Sequence, residues 1–290
     1  MTAYSLHADD LAPVVVGGVG GSGTRLVAAV LRDLGVAMPG AVNEALDNLW
    51  FSLLFIRRSI LLRTPQELDR LSWLFVNAMR GADVVPDELR PLLRQAADHD
   101  RGPALTQAVL RRAHDSLLAR SPVVARDAHW GWKQPNSHVM VPMLDQRFPQ
   151  MKYLYVVRNG LDMAFSSNQN QLKYFWGDIL LDGDTSPTPR NALRYWTAAY
   201  RRILGDRPLL GERLHILNFD RFCADPAAEL PSLVEFLGLD CVPGHVARVA
   251  ATIRPPRSTG RHHGQALKQF DPGDVAFVRE LGFDVLEPGA

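Results

Sequence analysis

Cysteine is almost missing from this chain: 290 residues hold two, Cys223 and Cys241. Neither stands at a metal-ligand spacing, which excludes a disulfide framework and a zinc ribbon and leaves the reduced thiols expected of a cytoplasmic protein. Charge of either sign is lacking in excess. The formal net charge is +1 and no basic run occurs, so neither nucleic acid nor a membrane surface is indicated as a partner. Long apolar runs are lacking as well. The longest, Leu49 to Leu62, is broken by Arg57 and Arg58 and is too short and too charged to insert into a membrane. Asp9 and Asp10 stand where a secretory signal would have a basic stretch and an apolar run, so the expected location is cytoplasmic. Without repeats or low-complexity segments, 290 residues fit one large α/β domain, 1–290.

Glycine, by contrast, is concentrated in one place. Five of the seven residues from Gly17 to Gly23 are glycine, behind the β-branched run Val14-Val15-Val16. Such a run suits a strand buried on both faces of a parallel sheet. After Thr24 the spacing of Leu26, Val27, Val30, Leu31 and Leu34 predicts a helix that stops at Gly35. A glycine-rich turn opening into a helix gathers unpaired N–H donors at the positive end of the dipole, so an anion, most often a phosphate, is the expected ligand. Three phosphate sites are compatible with the turn. Gly18 to Gly23 satisfies G-x-G-x-x-G, but Met38-Pro39-Gly40-Ala41 and a long helical segment follow where a dinucleotide fold needs a second strand and an acid. The same residues begin G-x-x-x-x-G-K-[ST], yet Thr24 and Arg25 occupy the lysine and hydroxyl positions, against an ordinary ATPase or GTPase. The third is a P-loop variant without the lysine.

Residues 45–120 read as almost wholly helical. Leu46, Leu49, Trp50, Leu53, Leu54 and Ile60 form one amphipathic face, and Thr64-Pro65-Gln66-Glu67 marks the start of a second helix. Two more are expected over Asp87 to Ala97 and Ala104 to Leu118, giving a helical insertion placed to select an acceptor. Strands are expected at Trp130 to Pro135, Tyr153 to Val157 and Leu214 to Asn218, with a helix over Ser137 to Phe148 between the first two. Further helices are predicted over Asn191 to Leu204, Ala227 to Leu237 and Asp274 to Leu281. His129 and His138, flanking one strand, read as structural or solvent-facing.

A second anion site is marked by Arg158, which ends the strand Tyr153 to Val157. A magnesium-dependent nucleotide hydrolase would place an aspartate there; a guanidinium offers a bidentate contact to phosphate instead. If Asp162 begins a helix, Ser166 lies about one turn in and can face the same anion.

With these residues in place, the chain resembles sulfotransferases that use 3'-phosphoadenosine-5'-phosphosulfate (PAPS), of the bacterial type akin to the heparan and tyrosylprotein enzymes. Trp132-Lys133-Gln134-Pro135 is similar to the family's WK-x-P segment. Asn218-Phe219-Asp220-Arg221-Phe222, Ala224-Asp225-Pro226 and Phe236-Leu237-Gly238-Leu239 resemble its YEDL, DP and FLGL signatures. The resemblance implies a P-loop NTPase-like sulfotransferase fold: a central parallel sheet flanked by helices. It implies that Gly20, Gly21, Ser22, Gly23, Thr24 and Arg25 bind the 5'-phosphosulfate, and that Arg158 and Ser166 bind the 3'-phosphate. Arg257, Gly260 and Arg261 fall in a basic loop that closes on the nucleotide. PAPS is then the co-substrate and 3'-phosphoadenosine-5'-phosphate (PAP) the product, no metal is required, and the acceptor is a hydroxyl of a small molecule or glycan.

Two departures from the family pattern stand out. Many members have Lys or Arg at the position of Gly21, and Asn159-Gly160 replaces the commoner Asp-Pro or Asp-Gly. Lys133 is assigned to the bridging oxygen, with Arg25 as its rival. The resemblance also implies a glutamate general base in the segment Asn43 to Asn48, where Glu44 is the better match and Asp47, one helical turn on, the alternative. The missing cation keeps open a non-catalytic nucleotide-binding protein of the same fold. A kinase-like phosphotransferase is opposed by the missing lysine and by Arg158.

Overall fold

In the computed structural model, which describes residues 4–81, 83–119, 125 and 128–286, Val14–Gly18 forms strand β1 with every residue buried. Its side chains divide between two cores. Val15 packs with Tyr153, Tyr155 and Trp132, whereas Val14 and Val16 pack with Leu154, Val156 and Leu217. A strand buried on both faces needs helices on both sides, and the crossovers of a parallel sheet supply them. Strands β2 (Gly131–Lys133), β3 (Lys152–Val157) and β4 (Leu214–Asn218) complete a parallel sheet in the order β2-β1-β3-β4. The chain leaves β1 toward β2 and leaves β3 toward β4, in opposite directions. Ligands of open α/β sheets bind in the crevice such a divergence opens at the carboxyl ends. Register sets Gly18 beside Val156 there, one residue past which β3 ends.

Helix α1 (Thr24–Asp33) follows β1, and α2 (Leu49–Phe55), α3 (Pro65–Arg80), α4 (Arg90–Ala97) and α5 (Gln107–Leu118) precede β2. A 3-10 turn, Pro135–Met140, leads into α6 (Val141–Arg147) before β3. After β3 come α7 (Gly160–Ala164), a π-helical turn at Gln171–Trp176, α8 (Gly177–Leu180) and the long α9 (Pro189–Leu210). Helices α10 (Phe219–Ala224), α11 (Pro226–Leu237), α12 (Pro243–Ala250) and α13 (Pro272–Glu280) follow β4. No described helix is long and apolar enough to cross a membrane.

Several boundaries differ from expectation for identifiable reasons. The helix expected from the apolar face of Leu46 to Ile60 stops at Phe55, because Arg101 donates to the carbonyls of Ser52, Leu53 and Ile56 and so satisfies acceptors that a continuing helix would use. A separate 3-10 turn, Arg58–Leu62, follows. Residue 120, the expected end of the helical segment, lies outside the described residues. The helix expected from Ser137 is 3-10 as far as Met140, and Pro142, which has no N–H to donate, sits in the first turn of α6. Asp162 does not begin α7. Asn159 caps it by accepting from Leu161 N–H at 2.9 Å, and Ser166 lies beyond its C-terminal end.

Beneath the crevice, His138 is fully buried. Its Nδ1–H donates to Pro135 O at 3.0 Å and its Nε2 accepts from Tyr195 Oη at 3.1 Å. Burial lowers its pKa from 6.5 to about 4. The unfolded chain therefore takes up a proton below pH 6.5 that the folded state refuses until about pH 4, and stability falls as pH drops through that window. The full effect is about 3 kcal/mol. Melting temperatures measured from pH 7 to pH 4.5 are expected to fall more steeply for the native chain than for His138→Gln; parallel curves would refute the assignment.

Candidate functional site

Between β1 and α1 the chain turns with Ser22 N–H donating to Val19 O at 3.0 Å. Gly23 has φ of 99°, and a Cβ there would lie 2.1 Å from the Phe219 ring. Only glycine allows both the dihedral and the contact. The N–H groups of Gly20, Gly21, Gly23, Thr24 and Arg25 find no acceptor among the described residues. Ser22 Oγ is buried without a hydrogen bond. These donors gather in a cradle at the head of the ten-residue helix α1, an arrangement that favours an anion.

One wall of the crevice is a short hairpin rather than the helix expected across Asn43 to Asp47. Val42 and Asn48 form an antiparallel bridge, and Asn43 Oδ1 accepts from the backbone N–H of Ala45 and Asp47 at 3.0 and 2.9 Å. Leu46 takes a φ of 61°, left-handed backbone that a branched apolar side chain adopts only when its surroundings enforce it. The hairpin is fastened to β2: Asn48 N–H donates to Lys133 O at 2.9 Å, and Lys133 Nζ donates to Ala45 O at 2.9 Å and pairs with Asp47 Oδ1. Asn43 Nδ2 donates to the other oxygen of Asp47 at 3.0 Å. Asp47 is thus committed to the scaffold. Glu44, at the tip, is exposed and has no side-chain partner among the described residues.

Lys133 is buried, and burial lowers its pKa. Asp47 opposes that shift, and the positive charge of Arg25, exposed on the first turn of α1, adds to it. The two cations are therefore near enough for the charge of one to act on the other. An ammonium has three donors, and two of those on Lys133 are used.

The opposite wall is built around Arg158, 3% exposed at the end of β3. Its Nη1 donates to Ser258 Oγ at 3.1 Å, while Nη2 lies 3.5 Å from Asp162 and Nε 4.0 Å from Asp220. Neither Nε nor Nη2 makes a hydrogen bond. Burial raises the Asp220 carboxyl above its ordinary range, against the opposing effects of Asn159 N–H and Arg158. For Asp162 burial also pushes upward, but a hydrogen bond from His262 and others from Gly260 and His262 N–H outweigh it, and the carboxyl titrates low. Those bonds, Gly260 N–H at 2.7 Å and His262 Nδ1–H at 2.8 Å, clasp the 257–261 loop against α7. Arg261 is half-buried; burial and then the charge of Arg158 lower its pKa. Two guanidiniums repel one another across this wall, a strain that an anion between them would relieve.

Of the residues expected at the site, Gly20 to Arg25 form the cradle. Lys133 and Asp47 meet as an ion pair, and Arg158, Gly260 and Arg261 share one wall. Arg257 is exposed beside that wall. Ser166 borders the cradle: its Oγ accepts from Asn168 N–H and lies 3.6 Å from the point a Cβ on Gly21 would occupy. The Asp162–His262 clasp was not anticipated. Nothing in the residues around His262 marks it, whereas Asp162, four residues after Arg158 on a helical spacing, had a visible partner. Among the described residues no group of three or more His, Cys, Asp or Glu side chains is placed to hold a metal.

A model of the sulfotransferase family matches residues 13–243, from the residue before β1 to the start of α12. The 257–261 loop lies outside that match. Among solved structures, sulfotransferase STF9 from Mycobacterium avium is 17% identical, with a TM-score of 0.46 over 96% of this chain and 78% of that one. The sulfotransferase domain of the olefin synthase from Synechococcus PCC 7002 is 15% identical, with a TM-score of 0.47 over 95% and 96%. The sulfotransferase domain from the curacin biosynthetic pathway is 13% identical, with a TM-score of 0.49 over 94% and 99%. No curated protein matches the chain.

Proposed function

The chain belongs to the sulfotransferase family, and from that premise we propose that it transfers the sulfuryl group of PAPS to the hydroxyl of a small molecule or glycan. The observation that supports this most is the pairing of two anion sites at one sheet edge. The unpartnered N–H groups and the orphan Ser22 hydroxyl of the glycine loop stand on one side, and the Arg158–Arg261 pair on the other. A nucleotide with separate 5' and 3' charges fits that arrangement. Gly20 to Arg25 take the 5'-phosphosulfate. Arg158 and Ser166 take the 3'-phosphate, and the loop that carries Arg257, Gly260 and Arg261 closes on the nucleotide.

When bound, PAPS supplies an activated sulfuryl group. Glu44 accepts the proton of the acceptor hydroxyl as its oxygen forms a bond to sulfur and the bond from sulfur to the bridging phosphate oxygen breaks, with PAP leaving. Lys133 donates toward that bridging oxygen, and Asp47 and Ala45 O hold the ammonium in place. This chemistry calls for no metal.

PAP at a hundredfold excess over its dissociation constant is expected to stabilise the fold by about 2.7 kcal/mol, a melting shift on the order of 5 °C for a chain of this size. ADP, which lacks the 3'-phosphate, is expected to give a much smaller shift. Equal shifts from PAP and ADP would overturn the donor assignment. Arg158→Ala is expected to weaken PAP by roughly 1.5–3 kcal/mol, the scale of a hydrogen bond to a charged group. It also leaves Asp162 and Asp220 without their shared cation, so calorimetric affinity rather than melting temperature is the deciding measurement. An unchanged PAP affinity would remove Arg158 from the site.

A further inference from the structure

Gly21 brings no cation to the glycine loop, yet polar side chains crowd its crest from the segment behind α7. Gln171 is 3% exposed, opens the π-helical turn Gln171–Trp176, and its side chain makes no hydrogen bond among the described residues. A Cβ built on Gly20 would stand 2.7 Å from Gln171 Oε1 and 3.7 Å from Asn168 Nδ2. The amide therefore rests on the loop beside its free N–H groups, and no residue larger than glycine fits at position 20 without displacing it. The side chain is buried but its amide atoms are not sealed in the core, so an unpartnered amide at the loop is available to a ligand, and π-helical turns recur at functional sites. Two independent features, the unpartnered amide of a buried residue and a row of unpartnered N–H groups, meet at one point.

We propose that Gln171 is a catalytic residue whose amide, turned about its terminal bond so that Nε2 takes the place Oε1 holds against the loop, donates to a non-bridging oxygen of the sulfuryl group during transfer, in the region where the loop has no side-chain cation. The assignment rests on the sulfuryl-transfer reading above. A neutral amide suits this role, because a preorganised donor aimed at a group that gathers charge in the transition state acts without reorganising. It also adds no positive charge beside Arg25 and Lys133.

PAP lacks the sulfuryl group, so comparing PAP with PAPS isolates the contact. Gln171→Met removes the donors, and Gln171→Glu keeps the shape while placing a carboxylate against the sulfuryl oxygens, so it serves as the test should Gln171→Met fail to fold. With calorimetry and single-turnover PAP formation using 4-nitrophenol as acceptor, PAP affinity is expected to change less than about threefold, PAPS to weaken at least about tenfold in Gln171→Glu, and transfer to slow roughly a hundredfold in both. Equal weakening of PAP and PAPS means that Gln171 only supports the loop, and an unimpaired transfer step removes it from the chemistry; either result overturns the proposal. Failure of the native chain to bind PAP would instead overturn the sulfuryl-transfer reading, and the Gln171 assignment with it.

Discussion

Glu44→Gln is expected to slow turnover by about 10²–10⁴-fold, the usual contribution of a general base, while PAP binds as tightly as to the native chain. The hairpin makes the two carboxylates unequal. Asp47 spends one oxygen on Lys133 and the other on Asn43 Nδ2, so a proton arriving there would have to displace a buried ion pair. Glu44 stands three residues earlier at an exposed tip and is tied to nothing among the described residues. Glu44 is assigned to the acceptor hydroxyl and not to the donor, which is why PAP affinity is expected to hold. Rates of PAP release from PAPS with 4-nitrophenol, beside calorimetry with PAP, test both halves. Full activity in Glu44→Gln together with its loss in Asp47→Asn would move the base to Asp47.

Where the fold was legible in the sequence, the signals were local. Val14 to Leu34 declared strand, turn and helix through β-branching, glycine and period, and the structure places β1 and α1 there. Thr64 and Glu67 form the reciprocal capping box their spacing suggested, and Gly238 closes α11 in the left-handed conformation. What escaped notice was decided by contacts distant in sequence. The apolar period of Leu46, Leu49, Leu53 and Ile60 runs on past both true ends of α2. Asn43 Oδ1 diverts the chain into a hairpin on one side, and Arg101 takes the carbonyls on the other from more than forty residues away. Only the fold could reveal the clasp of His262 on Asp162, a hundred residues apart. The two charged walls were each visible as motifs; that Asp162 and Asp220 crowd the arginine of one of them was not.

Lys133→Ala is expected to lower kcat by a hundredfold or more, with PAP affinity changed far less. Without a side-chain cation at Gly21, charge developing on the bridging oxygen must be met by loop N–H groups, by the dipole of α1 and by a cation from elsewhere. One such preorganised donor typically contributes about 2.7–4 kcal/mol. Lys133 comes from β2, in register with Val16 and so at the carboxyl edge beside the turn, and its third N–H remains available once Ala45 O and Asp47 are satisfied. Arg25 is the rival, close enough to influence the ammonium of Lys133 but exposed on the helix. Removing Lys133 also strands the carboxylate of Asp47 in a mostly buried place and unfastens the hairpin that bears Glu44. Lys133→Ala combined with Asp47→Asn removes the stranded charge, so the double variant is expected to recover thermal stability without recovering rate. Single-turnover PAP formation and PAP titrations on Lys133→Ala, the double variant and Arg25→Ala separate the cases. A chemical step undiminished in Lys133→Ala, or a rate restored along with stability in the double variant, would refute the role assigned to Lys133. A collapse confined to Arg25→Ala would transfer that role to Arg25.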